Sequence, residues 1–254
     1  MQGRFVDKVV IVTGATSGIG REAAIRFARE GAKVVVAGRR QSQGDAVVGD
    51  IAQAGGEALF VRTDVADEAS VSALVSATLE RYGRLDCAFN NAGIGGESPK
   101  RTADHTKANW DAVLGINLTG TWLSMKYEIP AMLASGGGAI VNTSSIYGLK
   151  RSDMGHVPYA VSKHGVLALT KTAAYEYAKK GLRVNAVCPG WTHSEMIDPA
   201  LETDAKFRAF VERQIPMGRV ADTGEIADAV LWLCSAEAAY VNGHALSVDG
   251  GVIG

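Results

Sequence analysis

A doubly wound α/β domain, with a parallel sheet of about seven strands and helices on both faces, is the fold class this sequence predicts. Three observations predict it. Short β-branched apolar runs alternate with longer segments of helical period along the whole chain. The runs are continuously apolar, the pattern of strands buried on both faces. No repeat, low-complexity tract or linker interrupts the alternation, so residues 1–254 are expected to fold as one unit.

The strands fall at 8–14 (KVVIVTG), 33–38 (KVVVAG), 57–62 (EALFVR), 85–91 (LDCAFNN), 138–145 (GAIVNTSS), 182–189 (LRVNAVCP) and 244–250 (HALSVDG). Helical period occupies 18–30, 41–54, 67–82, 107–134, 158–180 and 222–235. Gly31, Gly55, Gly83 and Gly181 each follow a helical stretch, where a left-handed C-cap favours glycine. Lys179 and Lys180 suit the negative end of their helix, and Pro158 suits the first position of the same one. Residues 191–221 break the rhythm. An irregular excursion beyond a strand's carboxyl end is a natural lid over a site.

Composition narrows the function classes. The formal net charge of -1 leaves no electrostatic footprint for nucleic acid or an acidic membrane. Cys87, Cys188 and Cys234 are odd in number, widely spaced and set in apolar segments, which fits buried thiols in a reducing cytosol. The N-terminus runs almost at once into a strand, and no apolar run reaches the length of a membrane span. A cytoplasmic protein is expected. His105, His156, His164, His193 and His244 form no ligand constellation, so no metal site is expected; His156 is the one that falls where a substrate pocket should open.

The first strand runs into TGATSGIGR, with Gly14, Gly18 and Gly20 ahead of a helix. Such a turn lets backbone N–H groups and a helix N-terminus approach a pyrophosphate, although the G-x-x-x-G-x-G spacing also serves a purely structural turn. The second strand ends in Gly38, Arg39 and Arg40, where an acidic residue would bind the ribose 2′-hydroxyl of NAD. Guanidinium groups there suit a 2′-phosphate instead, or are solvated charges at a strand end. NNAG (90–93) and NTSS (142–145) close the fourth and fifth strands at the sheet edge where ligands bind. Tyr159 and Lys163, four apart in YAVSK, stack on one helix face, either as a solvated pair or as an acid/base tuned by a cation.

TGATSGIG, NNAG, SS followed by Y-x-x-x-K, PG and VDGG occur in one order over essentially the full length. In this the chain resembles the short-chain dehydrogenase/reductase family. The resemblance implies a Rossmann-type fold, a nicotinamide cofactor and a catalytic set of Asn117, Ser145, Tyr159 and Lys163. Ser145 lies one residue further from Tyr159 than the family spacing, which leaves Ser144 as a competitor. The cofactor is then expected against Gly14, Ser17, Gly18, Ile19 and Gly20, against Arg39, and against Asp64 and Val65. Asn91, Ala92 and Gly93, Pro189 and Gly190, and Ser194 complete that surface, with Tyr159 and Lys163 touching both cofactor and substrate.

The expected reaction is hydride transfer between NADP(H), favoured over NAD(H), and a small ketone or secondary alcohol. Tyr159 is the acid/base, its pKa lowered from about 10 by Lys163. Ser145 would hold the reacting oxygen, and Asn117 a relay water. Glycine at position 38 should leave room for a 2′-phosphate paired with Arg39, while Ser17 in place of a second basic residue keeps the preference modest. A 3-oxoacyl carrier-protein reductase and a non-catalytic dinucleotide sensor are the alternatives. The resemblance also implies a homotetramer packed through the helices at 107–134 and 158–180.

Overall fold

The computed structural model describes residues 3–195 and 197–253. Its sheet has seven strands, β1 (Val9–Thr13), β2 (Lys33–Gly38), β3 (Glu57–Arg62), β4 (Cys87–Asn90), β5 (Gly138–Thr143), β6 (Leu182–Pro189) and β7 (Ala245–Val248). They are ordered β3-β2-β1-β4-β5-β6-β7, and every neighbouring pair is parallel. The order reverses between β1 and β4, so the crevice beyond their carboxyl ends is the switch point of the fold.

Residue alternation sorts the strands' side chains onto two faces. Val10, Val12, Val34, Val36, Phe89 and Val141 pack on one side with α1 (Gly18–Arg29), α2 (Gln41–Gln53) and, later in the chain, α9 (Thr223–Cys234). Ile11, Val35, Ala88 and Ile140 pack on the other with α3 (Glu68–Tyr82), α5 (Gly120–Ala134) and α6 (Val157–Tyr177). Both faces are covered, which is why the middles of these strands are almost continuously apolar. The glycine caps are where the sequence puts them, Gly83 ending α3 at φ 74° in the left-handed region.

Two segments depart from the sequence reading. The helical stretch 107–134 is not continuous: α4 (Lys107–Leu114) passes through a π turn, Gly115–Thr119, before α5 begins. The excursion at 191–221 is not irregular but holds α7 (Asp198–Thr203) and α8 (Ala205–Gln214). Ile197, Leu201, Val211, Ile215 and Val220 bury one another there, packed by Trp191 and Phe207, whose rings meet edge to face at 6.0 Å. The amphipathic period of α8 is legible in AKFRAFVERQ; what hid it was the surrounding Pro199, Pro216 and Gly218.

Behind the sheet's carboxyl edge a polar chain is sealed in the core. Asn90 Nδ2 donates to Glu128 Oε2 (2.9 Å) and to Asn142 Oδ1 (3.1 Å), and Asn142 Nδ2 donates to Thr170 Oγ1 (2.9 Å). Glu128 is 0% exposed, and burial lifts its pKa to about 7 against the single stabilising bond from Asn90. Glu128 Oε1 and Asn90 Oδ1 are both buried acceptors without a donor among the described residues. A proton on the carboxyl supplies one.

A carboxyl whose folded pKa is raised stabilises fully below its unfolded value, and that contribution disappears as pH rises through the folded one. Glu128→Gln keeps the shape and adds a permanent N–H. Its melting temperature should exceed the parent's at about pH 8, by a free energy of about 1–3 kcal/mol, and the two should converge near pH 5. Calorimetry across that range checks the crossing.

Candidate active site

The glycine turn between β1 and α1 is shaped by contacts that exclude side chains. Gly14 and Gly18 hold φ of 64° and 53°, which other residues adopt only at a cost. A Cβ on Gly14 would lie 2.8 Å from Ala92 Cα, and one on Gly20 would lie 2.4 Å from Gly14 O and 2.5 Å from Asn91 Nδ2. Thr13 Oγ1 accepts the backbone N–H groups of Asn91 (3.0 Å) and Ala92 (3.2 Å), while Asn91 Nδ2 donates to the carbonyls of Thr13 and Gly14. The turn is thus clasped to the end of β4. Ile19 packs inward against the core, so the first amides of α1 are presented at the crevice with no acidic residue in the first turn. That cradle fits a pyrophosphate.

On the other side of the crevice the four residues expected to do chemistry approach one another. A Cβ on Gly93 would sit 3.3 Å from Asn117 Oδ1 and 3.5 Å from Lys163 Nζ. Lys163 is 3% exposed; its Nζ donates to the carbonyl of Thr143 at the end of β5 (2.8 Å) and stands 5.4 Å from the Tyr159 ring centroid. Burial pulls the Lys163 ammonium down to about 8. The helical spacing does bring phenol and ammonium together, as the i, i+4 argument requires. Ser144 and Ser145 part company: the Ser144 hydroxyl donates to the carbonyl of Lys163 (2.9 Å), whereas Ser145 begins a short 3-10 turn and its Oγ accepts from Tyr147 N (3.1 Å).

One expectation needs correction. Tyr159 is not lowered in this protein: burial raises its pKa, and Ser145 only partly offsets it. Lys163 directs its ammonium at Thr143 O and not at the phenol oxygen. The Asn117 side chain holds the loop after β4. Its Oδ1 accepts from Ile94 N (2.8 Å), and its Nδ2 donates to Ile94 O (2.9 Å) and Ser162 Oγ (3.2 Å). Asn117 sits inside the π turn, which rotates it off the regular helical track and onto the loop after Gly93.

The rim is formed by the ends of β2, β3 and β6. Thr63 N donates to Gly38 O (2.9 Å), setting Asp64 and buried Val65 beside the β2 corner. Gly38 leaves no space for a side chain, since a Cβ there would lie 2.7 Å from Thr16 Cγ2. Arg39 is exposed and its guanidinium has no partner among the described residues; Arg40 is the one that turns to the glycine loop, donating to Ser17 Oγ (2.8 Å) and Thr16 Oγ1 (3.1 Å). Which of two adjacent arginines faces the loop is set by the N-terminal boundary of α2, and no spacing rule in the sequence reveals it. Pro189 pairs with Val248, Gly190 N donates to Val248 O (3.0 Å), and Ser194 Cβ lies 3.8 Å from where a Gly18 Cβ would be. His156 stands between Tyr147 and Tyr159, at ring separations of 6.4 and 6.2 Å. Trp191 packs against the α7–α8 cluster.

Comparison with known proteins agrees with this geometry. A family profile described as enoyl-(acyl carrier protein) reductase matches residues 14–253. An A-factor type gamma-butyrolactone 1'-reductase (1S-forming) of Streptomyces virginiae is 43% identical over 252 residues, covering 98% of this chain and 97% of the relative. A cyclohexanol dehydrogenase of Acinetobacter sp. (strain SE19) is 39% identical over 250 residues, covering 98% and 96%. The crystal structure of an actinorhodin polyketide ketoreductase with NADPH superposes at a TM-score of 0.92 with 36% identity, covering 99% of both chains. By these matches over nearly its full length the chain belongs to the short-chain dehydrogenase/reductase family, as an oxidoreductase of the CH–OH/C=O couple.

Proposed function

We propose that the protein reduces small ketones with NADPH, and oxidises the matching secondary alcohols, with Tyr159 as the acid/base. The observation that carries this is the convergence of Tyr159, Lys163, Asn117 and Gly93 beyond the ends of β4 and β5. A relative named for cyclohexanol makes a compact cyclic ketone the first substrate to try. The nicotinamide supplies or takes up the hydride when it is bound. Everything else falls to this chain. A phenol kept protonated by burial is a proton donor at neutral pH, so Tyr159 delivers its proton to the carbonyl oxygen as that oxygen gains charge. Ser145 hydrogen-bonds the same oxygen and fixes its direction. Lys163 holds positive charge near the phenolate that results and would bind the ribose of a nicotinamide cofactor; Asn117 braces the Gly93–Ile94 loop, which would help to hold that cofactor.

NADP(H) is the preferred cofactor in this reading, because no carboxylate stands at the end of β2 to repel a 2′-phosphate and Arg39 is free to meet it. Residues 191–221, with α7 and α8, act as the lid. The unpaired, buried Cys87, Cys188 and Cys234 suit the cytoplasm. Among the described residues no helix is long and apolar enough to cross a membrane. Trp122 on α5, and Val161 and Tyr175 on α6, present apolar surface outward, and we assign that face to the subunit contacts of a homotetramer. Light scattering at micromolar concentration should give a multiple of 26.6 kDa; a monomer overturns the assembly.

A panel of cyclic and open-chain ketones, followed by loss of reduced-nicotinamide absorbance with each cofactor, tests the function. Turnover is expected with at least one ring ketone, with kcat/KM favouring NADPH by about tenfold or more. Tyr159→Phe should lower turnover by about 10²–10⁴-fold without weakening cofactor binding. Near-normal turnover in that variant would sink the mechanism.

Lys163 has a second signature. A buried ammonium whose folded pKa is below its unfolded value destabilises the fold below about pH 8, and the cost disappears as pH rises toward about 10.5. Lys163→Met should therefore abolish turnover yet raise stability at pH 7 by about 1–3 kcal/mol, the lost bond to Thr143 being included. Thermal melts read against activity separate this outcome from simple misfolding.

A further inference from the structure

Arg40 stands at the N-terminal boundary of α2, and its whole guanidinium is engaged. Nη2 donates to Ser17 Oγ (2.8 Å) and Thr16 Oγ1 (3.1 Å), and Nε donates to Thr16 Oγ1 (3.3 Å). The remaining nitrogen, Nη1, donates to both carboxylate oxygens of Glu195, at 3.0 and 3.3 Å. Glu195 belongs to the segment that leaves β6, and β6 stands four strand intervals from β2 in the sheet, roughly 19 Å at about 4.8 Å per interval. The segment passes over the glycine turn on the way, as the approach of Ser194 to Gly18 shows. One ion pair therefore fastens the lid segment to the far wall of the cofactor groove.

The geometry points to Glu195 as an internal competitor for the cofactor's 2′-phosphate: it occupies the guanidinium of Arg40, the second cation beside Arg39 that this phosphate would otherwise draw on, and so limits how strongly the protein distinguishes NADPH from NADH. This rests on the reading that the cofactor's adenosine ribose lies against Gly38 and Arg39. Because Nε and Nη2 are held by Thr16 and Ser17, the fork of Arg40 cannot turn to offer a phosphate fresh donors while Glu195 keeps Nη1. A 2′-phosphate paired with Arg39 gains Arg40 as well only by displacing the carboxylate, and otherwise lies near it at like-charge repulsion. A 2′-hydroxyl carries no charge, competes for nothing and leaves the fastening in place. NADPH thus opens the adenosine end of the lid segment as it binds, and NADH does not.

The test is equilibrium binding of NADPH and NADH, read by nicotinamide fluorescence at low ionic strength, where an exposed pair is least screened. The quantity is the ratio Kd(NADH)/Kd(NADPH). Glu195→Gln should raise it about two- to fivefold, through tighter NADPH with NADH unchanged within about twofold. Arg40→Ala should lower the ratio by about tenfold and erase the effect of Glu195→Gln in the double variant. Both side chains are substantially exposed, at 41% and 63%, and melting curves confirm that each variant folds. An unchanged ratio in Glu195→Gln, an equal shift for both cofactors, or an effect that persists without Arg40 each overturns the proposal. The parent's own ratio bears on the NADP(H) reading alone: a parent favouring NADH removes that reading, while the change on Glu195→Gln still decides the role of Glu195.

Discussion

Gly14 approaches Ala92 so closely that a methyl group between them would lie 2.8 Å from the Ala92 Cα, and the cofactor groove takes its shape from that approach. Strands β1 and β4 lie side by side in the sheet, and beyond their ends the two chains are held by the Thr13 hydroxyl and the Asn91 amide. The clasp satisfies backbone groups that would otherwise be unpaired at the edge of the sheet. It also fixes the loop through Gly93 and Ile94, which Asn117 grips from α4–α5 and against which Lys163 is packed. Groove and acid/base pair are thereby positioned by one rigid junction.

Two buried ionisable groups flank this junction with opposite consequences. Lys163 is desolvated at the site and retains a carbonyl acceptor, so its charge is available but weakly held. Glu128 is desolvated behind the sheet with one donor and an orphaned oxygen, and protonation is how it is accommodated. Burial acts on both by disfavouring the charged form, lowering the Lys163 ammonium to about 8 and raising the Glu128 carboxyl to about 7.

The segment after β6 follows different physics. Its helices bury a small cluster of their own, separate from the two cores that face the sheet. Elements with so little shared apolar surface are those that move at low cost. A parallel bridge between Thr192 and Ala221 joins its two ends, and it is tied to the rest by Met217 N, which donates to Gly250 O (3.1 Å), by the Arg219–Glu225 ion pair and by the exposed pair of Glu195 with Arg40.

Much of this molecule was legible before any coordinates. Seven apolar runs, their glycine caps and the turn after the first run specify a parallel doubly wound sheet, because periodicity and chain reversal are local properties. The i, i+4 relation of Tyr159 and Lys163 is local too, and it survives intact. Tertiary structure decided whatever depends on where a side chain's polar atoms point. It sent the Lys163 ammonium to Thr143 and left Tyr159 raised, assigned Ser144 to a backbone carbonyl, turned Asn117 onto Ile94 through a π turn, filled the space at Gly38 with Thr16, and chose Arg40 over Arg39 to face the glycine loop. Hydrophobic pattern is written one residue at a time, whereas hydrogen-bond partners and desolvation come from residues tens of positions away, and only the folded chain brings them within reach.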